Sequence, residues 1–164
     1  MKLSFKTFAL CGAVATLLAA CGGGDSPNTS DQSGLVTVSA ASDTNFNGAY
    51  SSTTTGISDV QKIRRAGATD GCEYTFDALV KNGSANVSMS GTVDYFVDSN
   101  SLSSLSISIN GVLYSIANGA NTIVDRGANQ VRFTAVKLDS EAADTNTLMV
   151  TGNLPMRGNR PGGC

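Results

Sequence analysis

The sequence predicts an all-β fold, an antiparallel meander that forms a small sandwich or a closed β-barrel. Apolar and polar residues alternate on both sides of two pairs, Asn82-Gly83 and Asn110-Gly111. Asn-Gly is favoured in two-residue hairpin turns because both positions accept a positive φ. The chain also contains 18 Gly but only 3 Pro among its 164 residues, which is typical of a β-domain with many turns.

The first predicted hairpin has one apolar and one polar face. If the chain folds about Asn82-Gly83, every second residue of the two strands lies on the same face. The pairs on that face are Val80 with Ala85, Ala78 with Val87, Phe76 with Met89, Tyr74 with Gly91, and Cys72 with Val93. The opposite face is polar except for Leu79. Since side chains alternate between the two faces of a strand, this sorting predicts one buried and one solvated face.

The second predicted hairpin follows the same rule. About Asn110-Gly111 the pairs are Ile109 with Val112, Ile107 with Tyr114, and Leu105 with Ile116. A five-residue connection over 98–102 then sets Tyr95 opposite Leu105 and Val93 opposite Ile107. Residues 72–117 are therefore predicted to form a four-stranded antiparallel meander with one apolar face.

The rest of the body adds shorter strands. Residues 35–38, 49–55, 131–135 and 148–154 are β-prone, whereas 57–65 fits neither a helix nor a strand clearly. Covering the apolar face requires about seven to nine strands in total. No internal repeat is apparent. A predicted set of small inward residues leaves room for a ligand or permits close sheet packing: Ala78, Ala85, Gly91, Ala135 and Gly152.

The first 21 residues resemble the lipobox signal of bacterial lipoproteins. Lys2 and Lys6 precede an apolar run that ends in Leu18-Ala19-Ala20-Cys21, and Gly22 begins a Gly/Ser/Asn-rich stretch. The resemblance implies removal of 1–20, acylation of Cys21 and a tether over 21–34 before a single domain, 35–164, with a C-terminal tail. Glycine after the cysteine, where an aspartate would favour the inner membrane, favours attachment to the outer membrane.

The amino-acid composition excludes several classes of function. The net charge of the full chain is −2, and it changes to −4 without the leader, which holds two lysines and no acid. Nucleic acid is therefore not expected as a partner, because binding it requires a concentrated basic patch. The chain has no His, which excludes Ser-His-Asp triads and His-ligated zinc or haem. We expect no catalytic residue, metal or cofactor.

If Cys21 is acylated, as the resemblance implies, Cys72 and Cys164 are the thiols that remain in the exported body. Export favours disulfides, so we expect a structural bond between these two. Two free thiols, or pairing of Cys164 with a partner protein, are the alternatives. The bond would fix a tail that otherwise has nothing to hold it.

Other side chains form weaker candidate sites. Asp94, Asp98 and Asn100 are the best candidates for Ca²⁺, but their spacing lacks the glycine and late glutamate of an EF-hand. Carboxylate pairs for glycoside hydrolysis, Glu73 with Asp77 or Asp139 with Glu141, lack a tryptophan platform for a sugar. Arg157 and Arg160 are candidates for contact with anionic lipid headgroups.

The sequence therefore favours a non-catalytic, lipid-anchored envelope lipoprotein that acts as a structural or protein-interaction module. Its expected partners are the membrane, through the acylated cysteine, and an envelope protein. A lipocalin-like carrier of a small apolar ligand is the alternative. The filling of the barrel interior distinguishes the two.

Overall fold

A computed structural model describes residues 33–116, 120–142 and 144–164. The leader over 1–20, the acylated Cys21 and most of the tether that the sequence predicts fall within residues 1–32, which lie outside the described residues. The strands are β1 Gly34–Ser39, β2 Gly48–Ser52, β3 Gly56–Ile57, β4 Gln61–Ile63, β5 Gly71–Lys81, β6 Ser84–Phe96, β7 Leu102–Ile109, β8 Val112–Ile116, β9 Thr122–Asp125, β10 Gln130–Ser140 and β11 Thr147–Pro155. A single 3-10 turn, Thr44–Phe46, joins β1 to β2.

The strands form one antiparallel sheet whose hydrogen bonds close into a ring. Strand β11 pairs with both β10 and β1, and the order continues through β2, β5, β6, β7 and β8 back to β10. Two positions in this ring are interrupted: β2, β3 and β4 pair in turn along β5, and β8 and β9 pair along β10. The predicted class, an all-β antiparallel fold that forms a small sandwich or a closed barrel, is confirmed, and the sheet closes like a barrel.

The hairpin about Asn110-Gly111 has the predicted register. Ile109 pairs with Val112, Ile107 with Tyr114, and Leu105 with Ile116. Asn110 and Gly111 have φ of 50° and 83°, as a turn with two positive φ values requires. No helix crosses 84–96 or 103–116. The segment 57–65, which the sequence left open, contributes β3 and β4.

The register of β6 differs from the prediction on both sides. Phe76 pairs with Gly91 instead of Met89, and Val93 pairs with Leu105 instead of Ile107. The first shift arises from irregularities after Phe76 and after Val80, which together move the pairing by two residues and so preserve parity at the base of the hairpin. The β6–β7 connection is 97–101, one residue earlier than predicted.

The predicted set of small inward residues is wrong for its three alanines, whereas Gly91 and Gly152 do lie at inward positions, each opposite a buried phenylalanine. Ala78, Ala85 and Ala135 are exposed, and Gly91 and Gly152 are partly exposed. Ala78 and Ala135 have φ of 61° and 50° and lie at β-bulges, where one extra residue reverses which side chains point inward. The bulges also explain Leu79, the apolar exception on the polar face, which is fully buried.

The two halves of the ring carry a matching pattern that the sequence analysis did not find. Phe76 and Phe133 each lie two residues before a bulge alanine, and each pairs with a glycine, Gly91 or Gly152. An interrupted strand position precedes the bulged strand in both halves. Bulges and glycines of this kind bend strands where a sheet must curve into a barrel.

Large side chains occupy the inward positions. All four tyrosines of the chain are buried, together with Phe76, Leu79, Met89, Leu102, Leu105, Ile107, Ile109 and Leu138. Among the described residues, no helix is long and apolar enough to cross a membrane.

Candidate functional site

Both ends of the ring are covered by the chain itself. At one end the 3-10 turn places Phe46, 7 % exposed, edge-on against Tyr114 with ring centroids 6.3 Å apart. The Tyr50 hydroxyl donates to the Phe46 carbonyl at 2.8 Å, and Lys81 Nζ donates to the Asn45 carbonyl at 2.6 Å. Asp43 caps the turn by accepting from the Asn45 amide. These contacts hold the turn across the end of the barrel.

The opposite end is covered by the C-terminal segment, which is defined here as residues 156–164. It starts with Met156, which is fully buried, and ends at Cys164, which is 4 % exposed. The structure joins Cys164 to Cys72 through a disulfide, with 5.7 Å between the two Cα atoms. Cys72 lies at the start of β5 and is fully buried. The tail is therefore an ordered part of the barrel end.

Arg126, in the β9–β10 turn, is the centre of the contacts that hold this segment. Its Nε donates to the Cys164 carbonyl at 2.8 Å, and its Nη2 donates to the carbonyls of Gly163 at 3.4 Å and Phe96 at 3.0 Å. Its guanidinium carbon lies 5.3 Å from the centre of the Tyr95 ring, within the range of a cation–π contact. The Tyr95 hydroxyl also donates to the Cys164 carbonyl, at 3.1 Å.

Arg157 and Arg160 hold the same segment from its other side. Arg160 donates to the Arg126 carbonyl at 2.9 Å and to the Asn129 side chain at 2.6 Å. Arg157 donates to the Ile57 carbonyl at 3.0 Å and forms an ion pair with Asp59. Their guanidinium groups bind the protein's own backbone and side chains, which disfavours the lipid headgroup contact considered from the sequence.

The interior beneath the C-terminal segment contains two tyrosines. Tyr74 is 1 % exposed, and within the described part of the chain its hydroxyl has no hydrogen-bond partner. Burial raises the pKa of Tyr74, and neighbouring Tyr95 adds to the effect. Burial also raises the pKa of Tyr95, while the charges of Arg160 and Arg126 oppose that rise. Neither phenol can act as a base near neutral pH, because both stay protonated.

The residues considered for Ca²⁺ do not form a cation cage. Asp94 forms an ion pair with Arg65, and Arg65 also donates to Ser103 Oγ at 2.9 Å. Burial raises the pKa of Asp94, while the charge and hydrogen bond of Arg65 lower it. The Asn100 side chain accepts from Arg126 at 2.9 Å, so its oxygen is already used. Within 33–116, 120–142 and 144–164, no group of three or more His, Cys, Asp or Glu side chains could hold a metal ion.

Of the carboxylates considered for glycoside hydrolysis, three lie on strands, and Glu141 follows the end of β10 at an exposed position. Glu73 pairs across the sheet with Asp94, and Asp77 pairs with Gly56. Asp139 forms an exposed ion pair with Lys137 at 2.9 Å. An open cavity of about 280 Å³ lies on the outer wall and is lined by Asn121, Thr122, Ile123, Arg132 and Thr134. None of the proposed carboxylates lines it.

Sequence reasoning named Cys72, Cys164, Arg157 and Arg160 but missed Arg126. Arg126 lies in a short turn before Gly127, and nothing in its spacing distinguishes it from a solvated arginine. Tyr95 was expected to point inward, yet its bond to the last residue depends on the path of the C-terminal segment.

Compared with known protein families, curated proteins and solved structures, the chain has no significant match.

Proposed function

We propose that this protein is a lipid-anchored, non-catalytic envelope lipoprotein whose barrel is a structural or protein-interaction module. The observation that carries the proposal is the covering of both barrel ends by the chain's own residues, around an interior occupied by four tyrosines and many aliphatic side chains. If each interrupted position is counted once, the ring has eight strand positions. The interior of a barrel with eight strands is just wide enough for side chains to fill it. Function then belongs to the outer surface and the loops.

The proposed anchor gives this module an orientation. Strand β1 begins at the barrel end that the C-terminal segment covers, since a Cβ at Gly34 would lie 3.4 Å from Pro155 at the end of β11. The proposed tether from Cys21 joins the barrel at this point. The end that the C-terminal segment closes therefore faces the membrane, while the two Asn-Gly turns lie at the opposite end, where they face away and are available to a partner.

Detergent-phase partitioning tests the anchor. Processed wild-type protein is expected in the detergent phase, because acyl chains bury many methylene groups, and Cys21→Ala is expected in the aqueous phase. Arg64→Ala, at an exposed position in the barrel, is the matched control and should partition like the wild type. Aqueous partitioning of processed wild-type protein would refute the anchor.

Cross-linking tests the interaction module. A photo-reactive residue at Asn110, at the exposed tip, is expected to trap an envelope protein, whereas one at Arg64, at the membrane-facing end, is not. Equal trapping at the two sites, or none at either, would count against the proposed orientation and partner.

A carrier of a small apolar ligand is the second candidate. Two observations favour it: the eight-position antiparallel ring, which carriers of this kind also use, and the unpartnered Tyr74 hydroxyl inside it. Native mass spectrometry of protein purified from its host tests this function. A stoichiometric bound mass that Tyr74→Phe weakens would support the carrier, and unliganded protein would favour the module.

A further inference from the structure

We infer that Arg126 and Tyr95 form a clasp that holds the C-terminal segment in place before the disulfide forms, and thereby selects Cys164 as the partner of Cys72. The clasp is a positioning device, and neither of its residues touches a sulfur in the contacts described above. Its role is separate from the proposed envelope function and does not depend on it.

The clasp binds the segment through its backbone. Arg126 donates to the carbonyls of Cys164 and Gly163, and Tyr95 donates to the same Cys164 carbonyl. The Asp98 amide donates to the Gly163 carbonyl at 2.8 Å. Hydrogen bonds from a charged guanidinium are stronger than neutral ones. None of these contacts requires the sulfur atoms, so the segment can dock while both cysteines are still thiols.

The sheet register gives the clasp its selectivity. Tyr95 is the cross-strand partner of Cys72 in the β5–β6 ladder. The residue that binds the Cys164 carbonyl is therefore a direct neighbour of the cysteine that Cys164 must reach. Tyr95 is itself fixed by burial and by the guanidinium of Arg126 against its ring. Docking on Tyr95 thus brings Cys164 to Cys72 and to no other position on the ring.

Gly163 also favours the docked position of the C-terminal segment. Its φ is +86°, a conformation that glycine adopts without strain, and a Cβ there would lie 2.6 Å from Val97 Cγ1. The last turn of the segment is closed by the Cys164 amide, which donates to the Pro161 carbonyl at 2.9 Å. The backbone before Cys164 therefore forms a tight turn. In this conformation both the hydrogen bonds of the clasp and the disulfide can form.

Selection matters in the unprocessed chain, which contains four cysteines, because Cys11 and Cys21 can compete there for Cys72. With a glutathione disulfide as oxidant, Cys72 and Cys164 lose two protons and two electrons in forming one S–S bond, and two glutathione thiols are released. The equilibrium constant of this exchange measures the effective concentration of one thiol at the other. Docking by the clasp raises that concentration.

The test measures this constant in the full chain in detergent, under native conditions, with Cys11 and Cys21 replaced by serine. Arg126→Met removes the donors, and we expect it to lower the effective concentration at least about tenfold, since bonds to charged groups are lost. Tyr95→Phe removes one neutral bond and should lower it less. Arg132→Met is the matched control, because Arg132 pairs with Asp125 on the same hairpin and is half-exposed.

An Arg126→Met constant equal to that of the wild type, or lowered no more than that of Arg132→Met, would overturn the inference. If Arg126→Met does not fold, Arg126→Lys and Tyr95→Phe decide the question, since both keep the site filled.

A second readout keeps all four cysteines: oxidative refolding followed by peptide mapping. The wild type should give the Cys72–Cys164 bond, and the Arg126 variant a mixture with Cys11 or Cys21. Unchanged pairing in the variant would also count against the clasp.

Discussion

The ring of Phe76 packs against Gly91, its cross-strand partner, and fills the space that a side chain would take there. A Cβ on Gly91 would lie 2.8 Å from Phe76 Cε1 and would collide with the backbone oxygen of Ser106 on β7. Gly91 is thus enclosed by an aromatic ring and by a neighbouring strand. Gly152 has the matching position in the other half of the ring, where a Cβ would collide with the Leu35 backbone oxygen.

Gly91→Ala is expected to destabilise the protein by about 2 kcal/mol or more, because the backbone of β7 has to move to admit one methyl group. Gly152→Ala should cost at least as much, since Gly152 also has a φ of +145°. Gly162→Ala is the control: nothing lies within 4 Å of a Cβ there, so its unfolding free energy should stay within about 0.5 kcal/mol of the wild type. Urea unfolding measures all three. A near-neutral Gly91→Ala would contradict the close approach of β6 and β7.

The two hairpins illustrate how far the sequence predicts the fold. Parity alone predicted the Asn110-Gly111 hairpin residue by residue, because a two-residue turn fixes the register and nothing interrupts the strands. It failed in the hairpin about Asn82-Gly83, because the register of β5 and β6 shifts twice, between Val80 and Lys81 and again across Ala78. The second shift is a bulge, which needs only one residue with positive φ, and here that residue is an alanine. Alanine carries no signal for a left-handed conformation, whereas asparagine and glycine do.

The site was less predictable than the fold. The pairing of Cys72 with Cys164 was predicted from the resemblance to bacterial lipoproteins, which implies export and leaves these two thiols in the body of the protein. The contacts of Arg126 could not be predicted, because they are made to backbone carbonyls, which every residue has. The backbone conformation of Asn82 could not be predicted either. In the Asn82-Gly83 turn only Gly83 has a positive φ, since Asn82 is held by hydrogen bonds to Ala49 and Ser51 of β2.

Tyr74→Phe is expected to leave stability unchanged or to raise it slightly. The hydroxyl is buried without a partner, so its removal ends a desolvation cost and breaks no bond. Tyr50→Phe and Tyr95→Phe should each cost about 1 kcal/mol, because their hydroxyls donate to the carbonyls of Phe46 and Cys164. Thermal unfolding of the three variants provides the comparison. A loss of 1 kcal/mol or more in Tyr74→Phe would indicate a bound partner, such as an internal water.

Replacing both Cys72 and Cys164 by serine should lower the free energy of unfolding by about 4 kcal/mol. The two residues are 92 positions apart, and a cross-link of that span restricts the unfolded chain strongly. The melting temperature should fall by roughly 10 °C for a domain of this size. Because the clasp remains, the folded double variant should still protect the C-terminal segment from proteolysis. A melting temperature equal to that of the wild type would show that the bond contributes nothing to stability.

The protein is expected to lose stability steeply above pH 10, through its tyrosines. Burial raises the pKa of all four, and for Tyr50 burial, with a smaller effect of Asp43, raises it from 10.0 to about 12. In the unfolded chain these phenols ionise near pH 10, whereas the folded chain keeps their protons. The unfolded state therefore binds fewer protons above pH 10, so the free energy of unfolding falls as the pH rises.

Phenolate absorbance measures this directly, because the chain has no Trp to obscure it. At pH 10.5 folded protein should show less phenolate than denatured protein, and the remaining signal should appear together with the loss of β-sheet circular dichroism. Denatured protein is the control and should titrate near pH 10. If the tyrosines of folded protein ionise near pH 10 while the sheet signal persists, the phenols are open to solvent, which would contradict a barrel covered at both ends.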